Sequence, residues 1–186
     1  MSTRTTNSIL LIILAAGLGL SVLTAVTAYR ANGANGFPLD DPWIHLQFAK
    51  NVHDFGVFSY YRDEMVTSGS TAPLYTLLLA VGFFFTSDEM LLSYGLGVAF
   101  YLAGAVMLYR LSGRLLGSVG ILPLGATAVF ILDPRLHWAA LSGMETTLFI
   151  FLLLAATLFY LEGRPWHFGA SAGLLLWVRP EAVLFY

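Results

Sequence analysis

Apolar positions along this chain come in long unbroken runs separated by short polar segments, with one long polar interval near the front. Ser8 to Tyr29 carries no charge and is long enough to cross the roughly 30 Å hydrocarbon core of a bilayer as a helix. Later runs repeat the pattern. Together they predict about five membrane spans, over 8–29, 90–110, 115–133, 145–161 and 165–186. Arg4 precedes the first run, and Val26-Thr27-Ala28 is similar to a signal-peptide cleavage site. A cleaved signal is therefore the alternative to an anchoring helix, but the run exceeds the usual ~7–15-residue signal core. On either reading the segment that follows lies outside the cytoplasm.

That segment, 30–89, holds the long polar interval. It contains Asp40, Asp41, His45, Lys50, His53, Asp54, Arg62, Asp63 and Glu64. Asp41-Pro42 reads as a helix start, with Asp41 as the N-cap and proline at the first helical position. Over 42–55, Ile44, Phe48, Val52 and Phe55 share one face at helical spacing. Gln47, Lys50, Asn51 and Asp54 fall largely on the other, and Gly56 can end the helix in a left-handed cap. Such a helix lies along a membrane surface or packs as an ordinary amphipathic helix. A second apolar run, 72–86, opens at Ala72-Pro73 and reaches only about 22 Å as a helix, marginal for a crossing.

Composition decides between a buried core and a lipid-facing one. Hydrophobic residues make up 58% of the 186 positions and charged residues 11%, against about 25% charged in soluble domains. Mean hydropathy is +0.75. A chain this short cannot hide that much apolar surface within itself, so the fold class is an all-α membrane protein with two juxtamembrane helices in its first external loop. The net charge of −2 is uninformative about partners, and no basic stripe points to nucleic acid, so none is expected as a partner. There is no cysteine, which removes disulfides and thiolate metal sites. The sequence stops inside an apolar run, Ala182-Val183-Leu184-Phe185-Tyr186. That reads as the front piece of a longer protein, although a short reading frame would end the same way.

Sidedness follows from the 72–86 helix. If it crosses, Arg110, Arg114 and Arg164 lie outside, against the positive-inside tendency. If it stays on the outer surface, those arginines and Arg4 lie inside. Asp40, Asp41, Asp133, Arg135, His137, Glu145, Arg179 and Glu181 then share the outer boundary. The second arrangement is the expectation.

The candidate chemistry sits at that boundary. Adjacent carboxylates at Asp40 and Asp41 can supply a general base beside a group that orients substrate or holds a cation; a solvated turn capping a helix is the plainer reading. Glu145, in Ser142-Gly143-Met144-Glu145, is an ionisable group at the mouth of a span. It is either functional or a partner of the helix dipole. Arg179 and Glu181 flank Pro180. Arg179 can bind a phosphate, or else snorkel or pair with a carboxylate. His45, His53 and His137 lack metal-ligand spacing. Trp43, Phe58, Tyr60, Tyr61 and Tyr75 can stack on a sugar or form an interfacial aromatic belt.

In this order the residues resemble a known family. An N-terminal span followed by an acidic pair opening a helix in the first external loop resembles the GT-C superfamily of membrane glycosyltransferases. Asp40-Asp41-Pro42-Trp43-Ile44-His45-Leu46-Gln47-Phe48-Ala49-Lys50-Asn51 is similar to that family's acidic-motif helix. Thr67-Ser68-Gly69-Ser70-Thr71-Ala72-Pro73-Leu74-Tyr75 is similar to the start of its second juxtamembrane helix. Ser142-Gly143-Met144-Glu145, followed by Arg179-Pro180-Glu181, is similar to a bacterial branch that includes arabinofuranosyl- and mannosyltransferases. Family members carry more helices, and Pro42 stands where many relatives have a small residue.

The resemblance implies an inverting glycosyltransferase in the plasma membrane. Its donor is a polyprenyl-phosphate-linked sugar and its acceptor a hydroxyl on a glycan, lipid or protein. Asp40 matches the catalytic base. Asp41 orients substrates or binds a divalent cation, magnesium or manganese. Glu145, His45 and Tyr75 line the same cavity, and Arg179 meets the lipid phosphate. Two other readings remain: a transporter subunit, which needs ionisable residues deep within spans, and a non-catalytic membrane scaffold.

Overall fold

The computed structural model describes residues 2–62, 65–67 and 69–185; Asp63, Glu64, Ser68 and Tyr186, which figure in the sequence reading, lie outside them. It is all-helical, with no strand among the described residues. The helices are α1 (Thr3–Asn32), α2 (Asp41–Phe55), α3 (Pro73–Gly82), α4 (Glu89–Leu116), α5 (Ile121–Leu132), α6 (Pro134–Ala140), α7 (Thr146–Leu161) and α8 (Pro165–Val178). A 3-10 turn, Pro180–Phe185, follows.

Two helices, α1 with 30 residues and α4 with 28, are long and apolar enough to cross a membrane. They overrun their predicted limits for local reasons. Ser2 caps α1 by accepting from the Thr5 N–H. Asp88 caps α4 at Leu91, and α4 runs on through Arg110 and Arg114 until Gly117 ends it in the left-handed conformation. The run expected to start at Leu115 therefore begins as a helix only at Ile121, and α5 has 12 residues. α7 and α8 have 16 and 14 residues, or roughly 24 and 21 Å. Pro180 stops α8 early: proline disfavours helical backbone in the residue before it, and Arg179 is extended. The helix expected over 72–86 is only Pro73–Gly82, about 15 Å long and too short to span.

α6 was not foreseen. Asp133-Pro134 starts it much as Asp41-Pro42 was expected to start α2. The Asp133 carboxylate accepts from the Arg135 and Leu136 N–H groups at 2.8 and 3.1 Å. In α2 itself that expectation fails. The cap position is Asp40 rather than Asp41, and neither carboxylate caps the helix with its side chain.

The buried face of α2 is also rotated from the predicted one. His45, Leu46, Phe48, Ala49 and Asn51 are buried, while Phe55 is 44% exposed. Asn51 tolerates burial because its Nδ2 donates to the Ser59 and Tyr60 carbonyls, each at 2.9 Å, fastening the following loop to the helix. Leu46, Ala49, Tyr75 and Leu79 from α2 and α3 then join Leu148, Leu152, Leu175 and Val178 of α7 and α8 in the larger core cluster.

α4 and α7 pack side by side, and polar contacts at their two ends define two faces of the bundle. At one end Arg110 pairs with Glu162 at 3.1 Å and Arg164 with the same carboxylate at 3.5 Å, while Arg114 donates to the Leu161 carbonyl. At the other, Tyr94 donates to the Gly36 carbonyl at 2.6 Å and Thr24 meets His137 at 2.8 Å. There Gly97 of α4 lies against the Ala140 carbonyl so closely that no Cβ fits between them. α2 and α3 cover that second end, which carries Asp40, Asp41, Asp133, Glu145 and Arg179. The charged side chains are thus segregated to the two ends of the bundle.

Gly97→Ala should therefore force α4 away from α6. We expect a loss of about 1–3 kcal/mol, typical of overpacking, read as a lower unfolding temperature in detergent.

Candidate functional site

Glu145 organises the polar end. Three features place it. Gly143 adopts a positive φ of 76°, which favours glycine, and the space a Cβ would need there is filled by the Phe37 ring. Ser142 braces the turn, its hydroxyl donating to the Ala139 carbonyl and accepting from the Met144 N–H. Tyr75 of α3 donates its hydroxyl to the Gly143 carbonyl at 3.0 Å. The turn thus sets Glu145 at the N-terminus of α7, where only 3% of its side chain is exposed.

Arg179 reaches it from the end of α8. Its Nε donates to Glu145 Oε1 at 2.7 Å, and Nη2 approaches Thr146 Oγ1 at 3.5 Å. The arginine side chain is 37% exposed, so the pair is buried on one side and open on the other. His45 of α2 faces the second carboxylate oxygen, with Nε2 and Oε2 3.4 Å apart and both buried without an aligned hydrogen bond. On its other side, His45 Nδ1 meets Ser70 Oγ at 3.0 Å, and Ser70 Oγ meets Thr76 Oγ1 at 2.7 Å. The Tyr75 ring closes the edge of the imidazole at 5.8 Å between centroids.

Electrostatics follow from this geometry. Burial alone raises the Glu145 carboxyl, but the His45 imidazole beside it, hydrogen bonding from its own backbone and the nearby Arg179 charge outweigh burial and hold it below the usual range. Burial, with the Glu145 charge added, drives the Tyr75 hydroxyl far above its ordinary value, so that it acts only as a neutral donor.

The predicted site residues thus separate into two sets. Glu145, Arg179 and His45 come together, and Tyr75 supports them from beneath with its ring 1% exposed. Asp40 and Asp41 stay exposed at the start of α2. Asp41 is one helical turn, about 6 Å, before His45 on the same face, so the exposed acidic pair lies at the end of α2 nearest the His45 side of the cluster, as a rim. Trp43 is 43% exposed and packs edge-on against Phe37, and Phe58 lies against Phe48. Ser70 and Thr76 were not singled out from the sequence. Their hydroxyls become informative only when α3 folds back onto α2.

Among the described residues no cluster of three or more metal-capable side chains forms. The two carboxylates of Asp40 and Asp41 are hard oxygen donors. Such donors are of the kind a magnesium-like ion takes, with most of its ligands supplied from elsewhere.

A groove of about 760 Å³ lies between α1 and α4, lined by Leu18, Val22, Val98 and Leu102 among others. It adjoins a second cavity of about 630 Å³ beside the 33–38 segment, with which it shares Ala25, Asn35, Tyr94 and Leu141. The second cavity is lined by Asn32, Phe37, Pro38, His137 and Trp138. Pro38 is two residues before Asp40, at most about 7 Å along the chain.

Comparison with known proteins gives no match among protein-family models, curated proteins or solved structures. The fold and site define a class only: an all-helical protein with two helices able to span a membrane and a polar cluster at one end of its bundle.

Glu145→Gln should leave Arg179 without a counter-charge. We expect a cost of about 1–3 kcal/mol, below that of a fully buried pair because Arg179 keeps part of its hydration. The sign of the pH effect is fixed by the depressed carboxyl. Its stabilisation is complete above the unfolded carboxylate range and is lost as pH falls through the lower folded value. Thermal unfolding followed across acid pH should show this step in the wild type and not in Glu145→Gln.

Proposed function

We propose that this is an integral, multi-pass membrane glycosyltransferase of the GT-C type, transferring a sugar from a polyprenyl-phosphate-linked donor to an acceptor hydroxyl at the external membrane face. The observation that carries the reading is the continuity of the apolar α1–α4 groove with a cavity that adds Asn32, His137 and the Phe37 and Trp138 rings and borders the segment that leads into Asp40. A donor with a hydrocarbon tail and a sugar-phosphate head needs those two environments joined at the bilayer boundary. α5, α7 and α8 would cross with α1 and α4, their short lengths met by local thinning of the bilayer. α2 and α3 would lie as a roof on the outer surface.

In this reading Asp40 accepts the acceptor hydroxyl's proton as the oxygen attacks the anomeric carbon. The bond from that carbon to the phosphate oxygen breaks, the configuration inverts, and polyprenyl phosphate leaves with the bonding electrons. Arg179 is suited to the phosphate. Glu145 fixes its Nε while the exposed part of the guanidinium keeps donors free for an anion. A divalent cation held by Asp41 would neutralise charge developing on the leaving phosphate. A transporter fits less well, since the charged side chains of α1 and α4 sit near the helix ends.

Turnover of a panel of polyprenyl-phosphate sugars tests the reaction. Asp40→Asn should lower kcat by about 10²–10⁴-fold, the usual contribution of a general base, and an unchanged rate would refute the assignment. Sidedness has its own test, made simple by the absence of cysteine. A membrane-impermeant maleimide should label Arg135→Cys on intact cells and Arg164→Cys only after permeabilisation.

A further inference from the structure

The line of buried polar groups running from Thr76 through Ser70 and His45 to Glu145 and Arg179 crosses five parts of the fold. Thr76 is on α3, Ser70 on the segment before it, His45 on α2, Glu145 at the start of α7 and Arg179 at the end of α8. Thr76, Ser70, His45 and Glu145 are each at most 4% exposed, so a ligand cannot reach them without displacing the roof.

The direction of the hydrogen bonds can be worked out from one end. Glu145 Oε2 offers only lone pairs. Were His45 Nε2 unprotonated, two buried acceptors would face each other at 3.4 Å, a repulsive arrangement. Nε2 therefore carries a proton. The Glu145 charge is already met by Arg179 at 2.7 Å, and no second buried carboxylate among the described residues stands against the imidazole to balance a cation there. The ring is then neutral, and Nδ1 is an acceptor. Ser70 must donate to Nδ1, which leaves its oxygen to accept from Thr76. Every proton in the line points toward Glu145.

We infer that His45 and Glu145 form a positioning latch rather than ligand contacts. A neutral His45 protonated at Nε2 ties the α2 roof, and with it the Asp40–Asp41 rim, to the ends of α7 and α8. His45 lies one turn beyond Asp41 on the same face, so fixing the imidazole fixes the rim. The latch stands on this geometry alone, and only its kinetic test rests on the transferase reading.

Three measurements test it. The protein has four histidines, so long-range proton–nitrogen spectra of histidine-labelled protein in detergent at neutral pH can resolve them, with His45→Gln assigning the His45 signals. The expected spectrum has a protonated Nε2 and an unprotonated Nδ1. The opposite tautomer, or a doubly protonated ring, overturns the proposal. Hydrogen exchange then reads the latch itself. The Gln amide can replace the Nε2–H donor, whereas the shorter Asn cannot reach. His45→Asn should speed exchange of the α2 amides several-fold, as for loss of a buried polar contact worth about 1 kcal/mol, while His45→Gln retains most of the protection. Equal exchange in wild type and His45→Asn contradicts the latch. Finally, with a polyprenyl-phosphate sugar as probe, His45→Asn should lower kcat and leave KM nearly unchanged, whereas a rise in KM alone would make His45 a ligand contact. Failure of the wild type to turn over any such donor would count against the transferase reading, and the first two measurements would still decide the latch.

Discussion

A buried carboxylate must find charge or hydrogen bonds to replace the water it has lost, and at Glu145 that requirement draws together three separate helices. Arg179 answers it from α8, His45 faces it from α2, and the Gly143 turn at the head of α7 presents it. Apolar packing between α2, α3, α7 and α8 would hold a roof in place without choosing one register. The polar line chooses it, since a shift of one helical turn in α2 would set either Ala49 or the like-charged Asp41 against Glu145 and take His45 away from Ser70.

The two ends of the bundle are built differently as a result. At one end Arg110, Arg114 and Arg164 meet Glu162 and a backbone carbonyl in half-exposed contacts of the kind worth little individually. At the other, the polar groups are buried and interlocked beneath an exposed acidic rim. The proposed reaction between an apolar-tailed donor and a polar acceptor would be served by such a boundary, where a rigid scaffold can hold exposed carboxylates in place while one side of the site stays open. The α1–α4 groove reaches the same end, and the Phe37 ring links the two regions by filling the space over Gly143 and meeting Trp43 and Tyr94 edge-on.

Much of this could be read from residue patterns, and the misreadings have physical causes. Long apolar runs, whose length reports burial in lipid or core directly, and for α2 the helical spacing within the polar interval, located every α-helix among the described residues except α6. Boundaries drifted where charge was taken as a stop: α4 continues through Arg110 and Arg114 because long basic side chains reach the helix end without breaking it. α6 was missed although Asp133-Pro134 announces it, since a seven-residue helix leaves little periodicity. The face of α2 was misjudged because apolar spacing favoured Phe55. Tertiary hydrogen bonds instead made His45 and Asn51 interior residues. Glu145 and Arg179 stood out as ionisable groups at span ends, but their pairing needed the fold, as did the roles of Ser70 and Thr76, whose partners are not determined by local sequence.

The most direct test of the account is where a lipid-linked donor binds. A polyprenyl phosphate carrying a photoreactive group on its isoprenoid chain, cross-linked to the protein in membranes and mapped by peptide mass spectrometry, should modify α1 and α4 around Val22 and Val98, and excess unlabelled polyprenyl-phosphate sugar should suppress the adducts. Adducts confined to other helices, or labelling that the unlabelled donor does not suppress, would contradict a donor site in this groove.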